Sequence, residues 1–467
     1  MNNKKAASII SDKIISDKII NDKIINDKLI NDKIISDKII NEKITASIML
    51  GAYLDTIGFK NGKWEFNYFH ALLTIEQAKI VWLDIISEYY SLGGPDLNIK
   101  NWKVSDDTML MIATGKACLN NGGYNNYISE YLNIYDNLIK EERYAGNKTI
   151  ESLSLLKKKK ININDLPSDE NMGGNGAAIR TCIIGIKWYN DEDRIIEESI
   201  IASRITHNLP LGFLGGMVSA LFTSYAIQNI QPWLWVDKLL ELYYTKKIYN
   251  YLKKNTPFDS YNEIKYFFSF WLKYNEERLS QMNFRGKQIF TFPDNKLNDL
   301  VQYSPIYTDN KKKKQFQWAN VGGTGIDVLI WAYDALLLSI IPDEKNYIDL
   351  DIETTNDDKT NDDESNNNDN KTNYNESNDD ETNNNESNNV ESNNNKYNNN
   401  KSNIKYSFST LVFNSCINIG DSDSIGMIAG CWYGALNGFN GIDKNKMKNL
   451  EFFDELEKLS KNIINDL

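Results

Sequence analysis

Apolar residues recur three or four positions apart, the spacing of an amphipathic helix, along most of the chain. The segments that show this spacing most clearly are Ile75–Tyr90, Thr108–Leu119, Arg194–Thr206, Val236–Leu252, Tyr261–Tyr274 and Val328–Ile340. Strand-like alternation flanked by turn residues is scarce. The pattern therefore predicts an all-α domain.

The stretch Leu209–Ile227 carries no charge and is nearly long enough to span a bilayer. It also contains Pro210, three glycines and several hydroxyl residues. A helix that is apolar on all sides is expected in the core of a large helical domain. The sequence therefore favours a buried core helix over a membrane span, and we expect no membrane partner.

Two segments have biased composition. Residues 8–44 repeat a five-residue unit such as Ser11–Ile15, a period that gives an amphipathic face neither to a helix nor to a strand. We interpret residues 1–43 as a low-complexity extension, with a partner-binding helix as the alternative. Residues 343–403 are rich in Asn and acidic residues, which predicts a disordered insertion. The folded unit then consists of residues 44–342 and 404–467, one domain with an inserted surface segment.

The formal net charge of −12 leaves no surplus of Lys and Arg, which argues against nucleic acid as a partner. The four cysteines are scattered and no apolar leader follows Met1, so we expect a cytoplasmic, reducing environment. With only two histidines in the chain, a zinc site is improbable. Any metal should be a hard cation held by oxygen atoms.

Two acidic clusters each precede an apolar helix: Ser105-Asp106-Asp107-Thr108 and Asp421-Ser422-Asp423-Ser424. Helix capping explains either cluster taken alone, because Ser and Asp accept hydrogen bonds from free N–H groups. Four carboxylates brought together would repel one another unless they are protonated or bridged by cations. Carboxylates and hydroxyls are also the ligands that Mg²⁺ and Mn²⁺ prefer. The residues alone leave capping and cation binding as equal alternatives.

A third feature is the glycine-rich run Gly173–Arg180. Glycines allow a ligand to approach the backbone, and the helix that follows presents N–H groups to a phosphate. An ordinary helix start is at least as good an explanation of this run taken alone.

Taken in order, these motifs resemble the ADP-ribosylglycohydrolase family, and within it the ADP-ribosylarginine hydrolases. The strings N-G-K-W-E-F and V-S-D-D-T are the most specific. The resemblance covers nearly all of residues 44–342 and 404–467, and it rests on Asn61–Phe66, Trp102–Thr108, Gly174–Arg180, Ser203–His207, Ala332–Ala335 and Gly420–Ser424.

The resemblance implies hydrolysis of the N-glycosidic bond between ADP-ribose and arginine side chains of mono-ADP-ribosylated proteins. It also implies two Mg²⁺ ions, or Mn²⁺ as the alternative, at the base of an ADP-ribose cleft, and we expect a monomer. The implied metal ligands are Ser105, Asp106, Asp107, Asp421, Asp423 and Ser424. The implied catalytic residues are Glu65, Asp106 and Asp107. The implied substrate-binding residues are Gly174, Asn175, Gly176, Ala177 and His207.

Departures from the family pattern bear on substrate choice. Asn320 stands where an aromatic residue is usual, and Ile326 replaces a histidine before Asp327. ADP-ribosyl-serine or another ADP-ribose conjugate is therefore an alternative substrate, and a catalytically weak ADP-ribose-binding protein is an alternative function. Leu54 and Ile419 replace glycines, but neither change removes a ligand oxygen.

Overall fold

The computed structural model describes residues 36–65, 75–141, 143–258, 261–281, 300–305, 321–341 and 404–467. The N-terminal half contains the helices α1 (residues 36–59), α2 (Ile75–Ser91), α3 (Asp106–Leu119), α4 (Tyr124–Lys140), α5 (Asn147–Lys158), α6 (Ala178–Lys187), α7 (Glu192–Arg204) and α8 (Pro210–Ile227). The remaining helices are α9 (Trp235–Tyr244), α10 (Lys247–Asn255), α11 (Tyr261–Glu277), α12 (Asp327–Leu338), α13 (Phe408–Cys416), α14 (Ser422–Asn437) and α15 (Phe453–Asn465).

Strands are almost absent from this part of the chain. Those assigned are β1 (Ile340–Ile341) and β2 (Lys405–Tyr406), which pair antiparallel on either side of the Asn-rich segment. Short 3₁₀ turns connect several helices, at Lys60–Gly62, Gly94–Asp96, Ile163–Asp165, Pro232–Leu234, Leu279–Gln281 and Lys444–Asn449. The prediction of an all-α domain is confirmed.

The helix predicted over Val236–Leu252 is wrong in one respect, because the structure has two helices there. The helix is interrupted between α9 and α10, where Lys246 adopts a left-handed conformation with φ of 58°. The apolar spacing continues through the break, so periodicity alone does not reveal it.

The apolar helix α8 lies in the centre of the fold and packs against α6, α7 and α14. Its length and composition would suit a membrane span, yet 94% of it is buried inside the protein. A core helix is what the sequence favours for this stretch.

The first helix starts earlier than the assigned domain boundary. Residues 36–43, which we assign from sequence to the repeat extension, are helical and continuous with the rest of α1. Lys43 is buried and donates a hydrogen bond to Asn229 Oδ1 at 2.6 Å. The rest of the repeat, the Asn-rich insertion at 343–403 and the stretch around Asn320 lie outside the described residues.

Helices α1 and α14 cross with their backbones in close contact. Gly426, Gly430 and Gly434 lie one turn apart along α14 and face α1. A Cβ atom added at Gly430 would lie 2.3 Å from the carbonyl oxygen of Leu50, closer than any real side chain comes. This approach places Asp55, near the end of α1, beside the start of α14.

We expect Gly430→Ala to lower the free energy of unfolding by about 2 kcal/mol, because the added methyl group meets backbone that cannot move aside. Urea denaturation measures the effect. Gly146→Ala is the control, since nothing lies within 4 Å of a Cβ atom at that position. Equal urea midpoints for the two variants would contradict the close helix crossing.

Candidate functional site

The first acidic cluster lies at the start of α3 and is bound to α1. Ser105 is the N-cap residue: its Oγ accepts the N–H of Asp107 at 3.1 Å and donates to Asp55 Oδ1 at 2.6 Å. Thr108 Oγ1 donates to the other oxygen of Asp55. Capping therefore accounts for Ser105 but leaves the two neighbouring carboxylates, Asp106 and Asp107, unexplained.

The second acidic cluster lies at the start of α14, where capping accounts for less. The side chain of Asp421 makes no capping hydrogen bond, although Asp421 occupies the N-cap position. Its Oδ2 instead accepts from Asn175 Nδ2 at 2.7 Å. Ser424 Oγ donates to Asp107 Oδ2 at 2.8 Å, so the two clusters are in direct contact.

Five buried carboxyl groups form two adjoining sets. Within each set, one oxygen from every residue lies within 4.8 Å of the others, and the sets are Asp55, Asp107 and Asp423, and Glu65, Asp421 and Asp423. Asp423 belongs to both. Three buried oxygens have no hydrogen-bond donor among the residues that the structure describes, namely Glu65 Oε2, Asp421 Oδ1 and Asp423 Oδ1. Carboxylate oxygens that lie close together without hydrogen-bond donors are suitable ligands for hard cations. Two sets joined by the carboxylate of Asp423 could hold two of them.

Burial raises the pKa of every carboxyl group in this cluster, and repulsion from neighbouring carboxylates adds to the rise for Glu65, Asp106, Asp107 and Asp423. Burial raises the pKa of Asp55 to about 6. Burial, with repulsion from Asp55 and Asp421, raises the pKa of Asp106 to about 8. The pKa values of Glu65, Asp107 and Asp423 rise well above their ordinary values for the same two reasons. A bound cation would reverse these shifts, because it favours the charged form.

Asp106 belongs to neither set, although its charge interacts with Asp55 and Asp421. Its backbone N–H donates to the carbonyl oxygen of Arg143 at 3.2 Å. Glu451 accepts two hydrogen bonds from the Arg143 guanidinium, at 2.7 and 2.9 Å. This ion pair therefore stabilises the backbone beside the first cluster.

The glycine-rich run forms a turn that contacts a second loop. Asn175 donates from its backbone N–H to Gly323 O at 3.3 Å and from Nδ2 to Gly322 O at 2.9 Å. Gly174 forms an isolated β-bridge with Thr324. Because Asn175 also donates to the second cluster, this turn and the carboxylates form one connected structure.

His207 lies directly against the glycine turn. A Cβ atom at Gly176 would lie 2.7 Å from His207 Cε1, so only glycine fits there beside the ring. Ala177, which ends the turn, is fully buried. The structure thus brings together all of the substrate-binding residues that the sequence implies, while their roles remain predictions.

The sequence motifs did not single out Asp55, which belongs to one of the two carboxylate sets. A signal was present, because Asp55 is the only charged residue in positions 44–59. An unpaired carboxylate in an otherwise apolar helix requires a polar partner when it is buried. The role of Asn175 in holding Asp421 was also missed, because sequence spacing gives no indication of that contact.

A family profile described as ADP-ribosylglycohydrolase matches residues 36–279 and 401–467, most of the chain. The chain belongs to the ADP-ribosylglycohydrolase family. A Dictyostelium discoideum protein named ADP-ribosylhydrolase ARH1 is 30% identical over 457 residues, covering 90% of this chain and 93% of the relative. Membership confirms the family that the ordered motifs indicate, and it makes the chain a hydrolase of ADP-ribose conjugates.

Two further similarities accompany this one. An Acanthamoeba polyphaga mimivirus protein named putative ADP-ribosyl glycohydrolase L444 is 33% identical over 301 residues, covering 61% of this chain and 55% of the relative. A solved structure described as an ADP-ribosylglycohydrolase-related protein complex has a TM-score of 0.47 at 14% identity, covering 92% of this chain and 99% of that one.

Without divalent cations, this ADP-ribosylglycohydrolase should lose stability as the pH rises from about 4 to about 8. The folded protein keeps protons on Asp55 and Asp106 up to pH values of about 6 and about 8. The unfolded chain releases them near pH 4, so their contribution is complete below that pH and is lost above it. Thermal unfolding in EDTA and in Mg²⁺ measures the effect. The gain from Mg²⁺ should grow with pH, and a gain independent of pH would contradict this account.

Asp423→Asn should stabilise the cation-free protein and abolish the stabilisation by Mg²⁺. The change removes one of the buried, mutually repelling charges, and it removes the carboxylate that both sets share. Thermal unfolding at about pH 8, with EDTA or Mg²⁺, measures both effects. Asp136→Asn is the control, because Asp136 is exposed and its ion pair with Lys157, at 2.7 Å, does not involve the carboxylate sets. A variant that keeps the full Mg²⁺ response would show that Asp423 holds no cation.

Proposed function

We propose that this protein is a Mg²⁺-dependent hydrolase that releases ADP-ribose from arginine side chains of mono-ADP-ribosylated proteins. The observation that carries the proposal is the pair of carboxylate sets that share Asp423. The sets lie beside a glycine turn to which they are joined through Asn175. A place for cations next to a place for a diphosphate is what this reaction needs.

The donor set fits a pair of hard cations. The proposed ligands include all six that the resemblance implies, with Glu65 and Asp55 added by the geometry: Asp55, Glu65, Ser105, Asp106, Asp107, Asp421, Asp423 and Ser424. Mg²⁺ is favoured, with Mn²⁺ as the alternative, because every donor is a carboxylate or hydroxyl oxygen. When bound, two such ions orient substrate hydroxyls and lower the pKa of a water molecule.

The protein's own residues have distinct tasks in the proposed reaction. Cleavage at the ribose carbon proceeds through an oxocarbenium-like transition state with water as the nucleophile. Asp106 lies outside both carboxylate sets, so besides its proposed contact with a cation we assign it to accept the proton of the attacking water. Ser424 orients Asp107, and Asn175 orients Asp421. We assign Glu65 to the side of the cluster on which the substrate would bind.

The glycine turn suits the diphosphate of ADP-ribose. The turn leads into α6, whose first N–H groups, those of Ala178 and Ile179, donate to the carbonyl oxygen of Asn175, so the positive end of the helix adjoins the turn. We propose that Gly174, Asn175, Gly176 and Ala177 approach the diphosphate or ribose. ADP-ribosylated proteins and free ADP-ribose are the proposed partners, and a cytoplasmic monomer is the proposed state.

The arginine linkage rests on the motifs that the chain shares with ADP-ribosylarginine hydrolases, and serine-linked ADP-ribose is the alternative. An ADP-ribose-binding protein without activity is the remaining candidate. The presence of every carboxylate in the set favours an enzyme, because a binding protein would have no need for the charge repulsion they bring.

The test is the release of ADP-ribose from a protein modified on arginine, beside the same protein modified on serine. We expect release from arginine with Mg²⁺ and none with EDTA. Asp106→Asn and Asp107→Asn should each lower the rate by about 100-fold or more, because each removes a proton acceptor or cation ligand. Asp136→Asn should leave the rate unchanged. Folded protein that releases ADP-ribose from neither substrate would overturn the proposal, and release from serine alone would transfer it to the alternative.

A further inference from the structure

The guanidinium group of Arg180 is completely buried, yet it makes no ion pair with any residue in the described ranges. Its donors go to neutral oxygens: Nε to the Tyr131 hydroxyl at 3.0 Å, and Nη2 to Ala202 O at 3.0 Å and Thr206 Oγ1 at 2.7 Å. Nη1 donates to Gly176 O in the glycine turn. A buried cation without an anionic partner is costly, and these hydrogen bonds offset part of that cost.

The hydrogen bond from Arg180 sets the direction of the next one. Arginine only donates hydrogen bonds, so Thr206 Oγ1 accepts from it. The same hydroxyl lies 2.8 Å from His207 Nδ1. Its single proton has no other acceptor among the contacts of the described residues, and a buried hydroxyl proton without an acceptor is costly. Thr206 therefore donates to His207 Nδ1, which must be unprotonated.

His207 is neutral in this environment. Burial, with a smaller contribution from the nearby positive charge of Arg180, lowers its pKa to about 3. A neutral imidazole carries one proton, so with Nδ1 accepting, Nε2 carries it. A Cβ atom at Gly174 would lie 3.3 Å from Nε2, and one at Gly176 would lie 3.1 Å from it. The N–H group is therefore beside the glycine turn.

We propose that Arg180 and Thr206 are positioning residues that fix His207 as a neutral Nε2–H donor to an acceptor oxygen of the ligand at the glycine turn. Arg180 also holds the carbonyl of Gly176, so one guanidinium sets both the shape of the turn and the proton on the ring beside it. The inference rests on the proposed function in one respect, namely that the ligand is ADP-ribose. The diphosphate and ribose of ADP-ribose offer acceptor oxygens.

Nitrogen-15 NMR of protein labelled in histidine reads the tautomer directly. The chain has two histidines, His70 and His207, so the spectrum contains two imidazole rings, and His70→Gln assigns them. We expect His207 to show a proton on Nε2 and a hydrogen-bonded, unprotonated Nδ1. A proton on Nδ1 in the wild type would overturn the proposal. This measurement needs no ligand and no activity, so it decides the tautomer even if the proposed function fails.

Substitutions at Thr206 test the relay. Thr206→Val keeps the shape and removes the donor, so the Nδ1 resonance should move toward that of an unbonded nitrogen. The affinity for ADP-ribose, measured by calorimetry, should fall by about 5- to 10-fold, as expected for one misdirected hydrogen bond. Thr206→Ser should behave like the wild type because it restores the hydroxyl.

Thr223→Val is the matched control, because Thr223 is buried and its hydroxyl donates to Ser219 O within α8, at 2.8 Å. Thr223→Val should leave both readings unchanged. If Thr206→Val keeps the wild-type Nδ1 resonance and the wild-type affinity, Thr206 does not position His207. If Thr206→Val does not fold, the wild-type spectrum and Thr206→Ser still decide the direction of the hydrogen bond.

Discussion

Repulsion among buried carboxylates is the constraint on which the site depends. Asp55, Asp107, Asp421 and Asp423 are all buried, and the charges of Asp55 and Asp421 raise the pKa of both Asp107 and Asp423. Such a set is stable only when protons or cations neutralise it. Helix packing keeps these carboxylates close together. Helices α1 and α14 meet through glycines, and α3 is joined to α1 by hydrogen bonds from Ser105 to Asp55. Packing therefore holds together groups that their charges would drive apart.

Neutral donors orient these carboxylates. Ser424 donates to one oxygen of Asp107, and Asn175 donates to one oxygen of Asp421. Within the described ranges no lysine or arginine pairs with a member of either carboxylate set, and the ion pair of Arg143 with Glu451 acts on the adjacent backbone instead. A side-chain cation inside the cluster would neutralise the charge and occupy the oxygens. Neutral donors fix the geometry and leave the charge for a metal ion.

Much of this could be predicted from the sequence, because helical spacing of apolar residues and acidic residues at helix starts are local signals. The two acidic clusters were therefore found, and the family resemblance indicated that they meet. Asp55 was missed because its partners, Ser105 and Thr108, lie about fifty positions along the chain and only the fold brings them near. The break at Lys246 was missed because a single left-handed residue leaves the apolar spacing intact.

The negative net charge of the chain is concentrated in the Asn-rich insertion and does not describe the rest of the protein. Residues 343–403 contain 17 acidic residues and five lysines, a net charge of −12 that equals the charge of the whole chain. The folded domain is therefore close to neutral, and the charge argument against anionic partners applies to the insertion instead. Under the proposed function, binding of the anionic ligand is then decided locally, by the N–H groups at the glycine turn, the ring of His207 and the proposed cations. The buried charge of Arg180 also acts locally. It offsets part of the rise in the pKa of Asp106, and its hydrogen bond to Gly176 O orders the glycine turn.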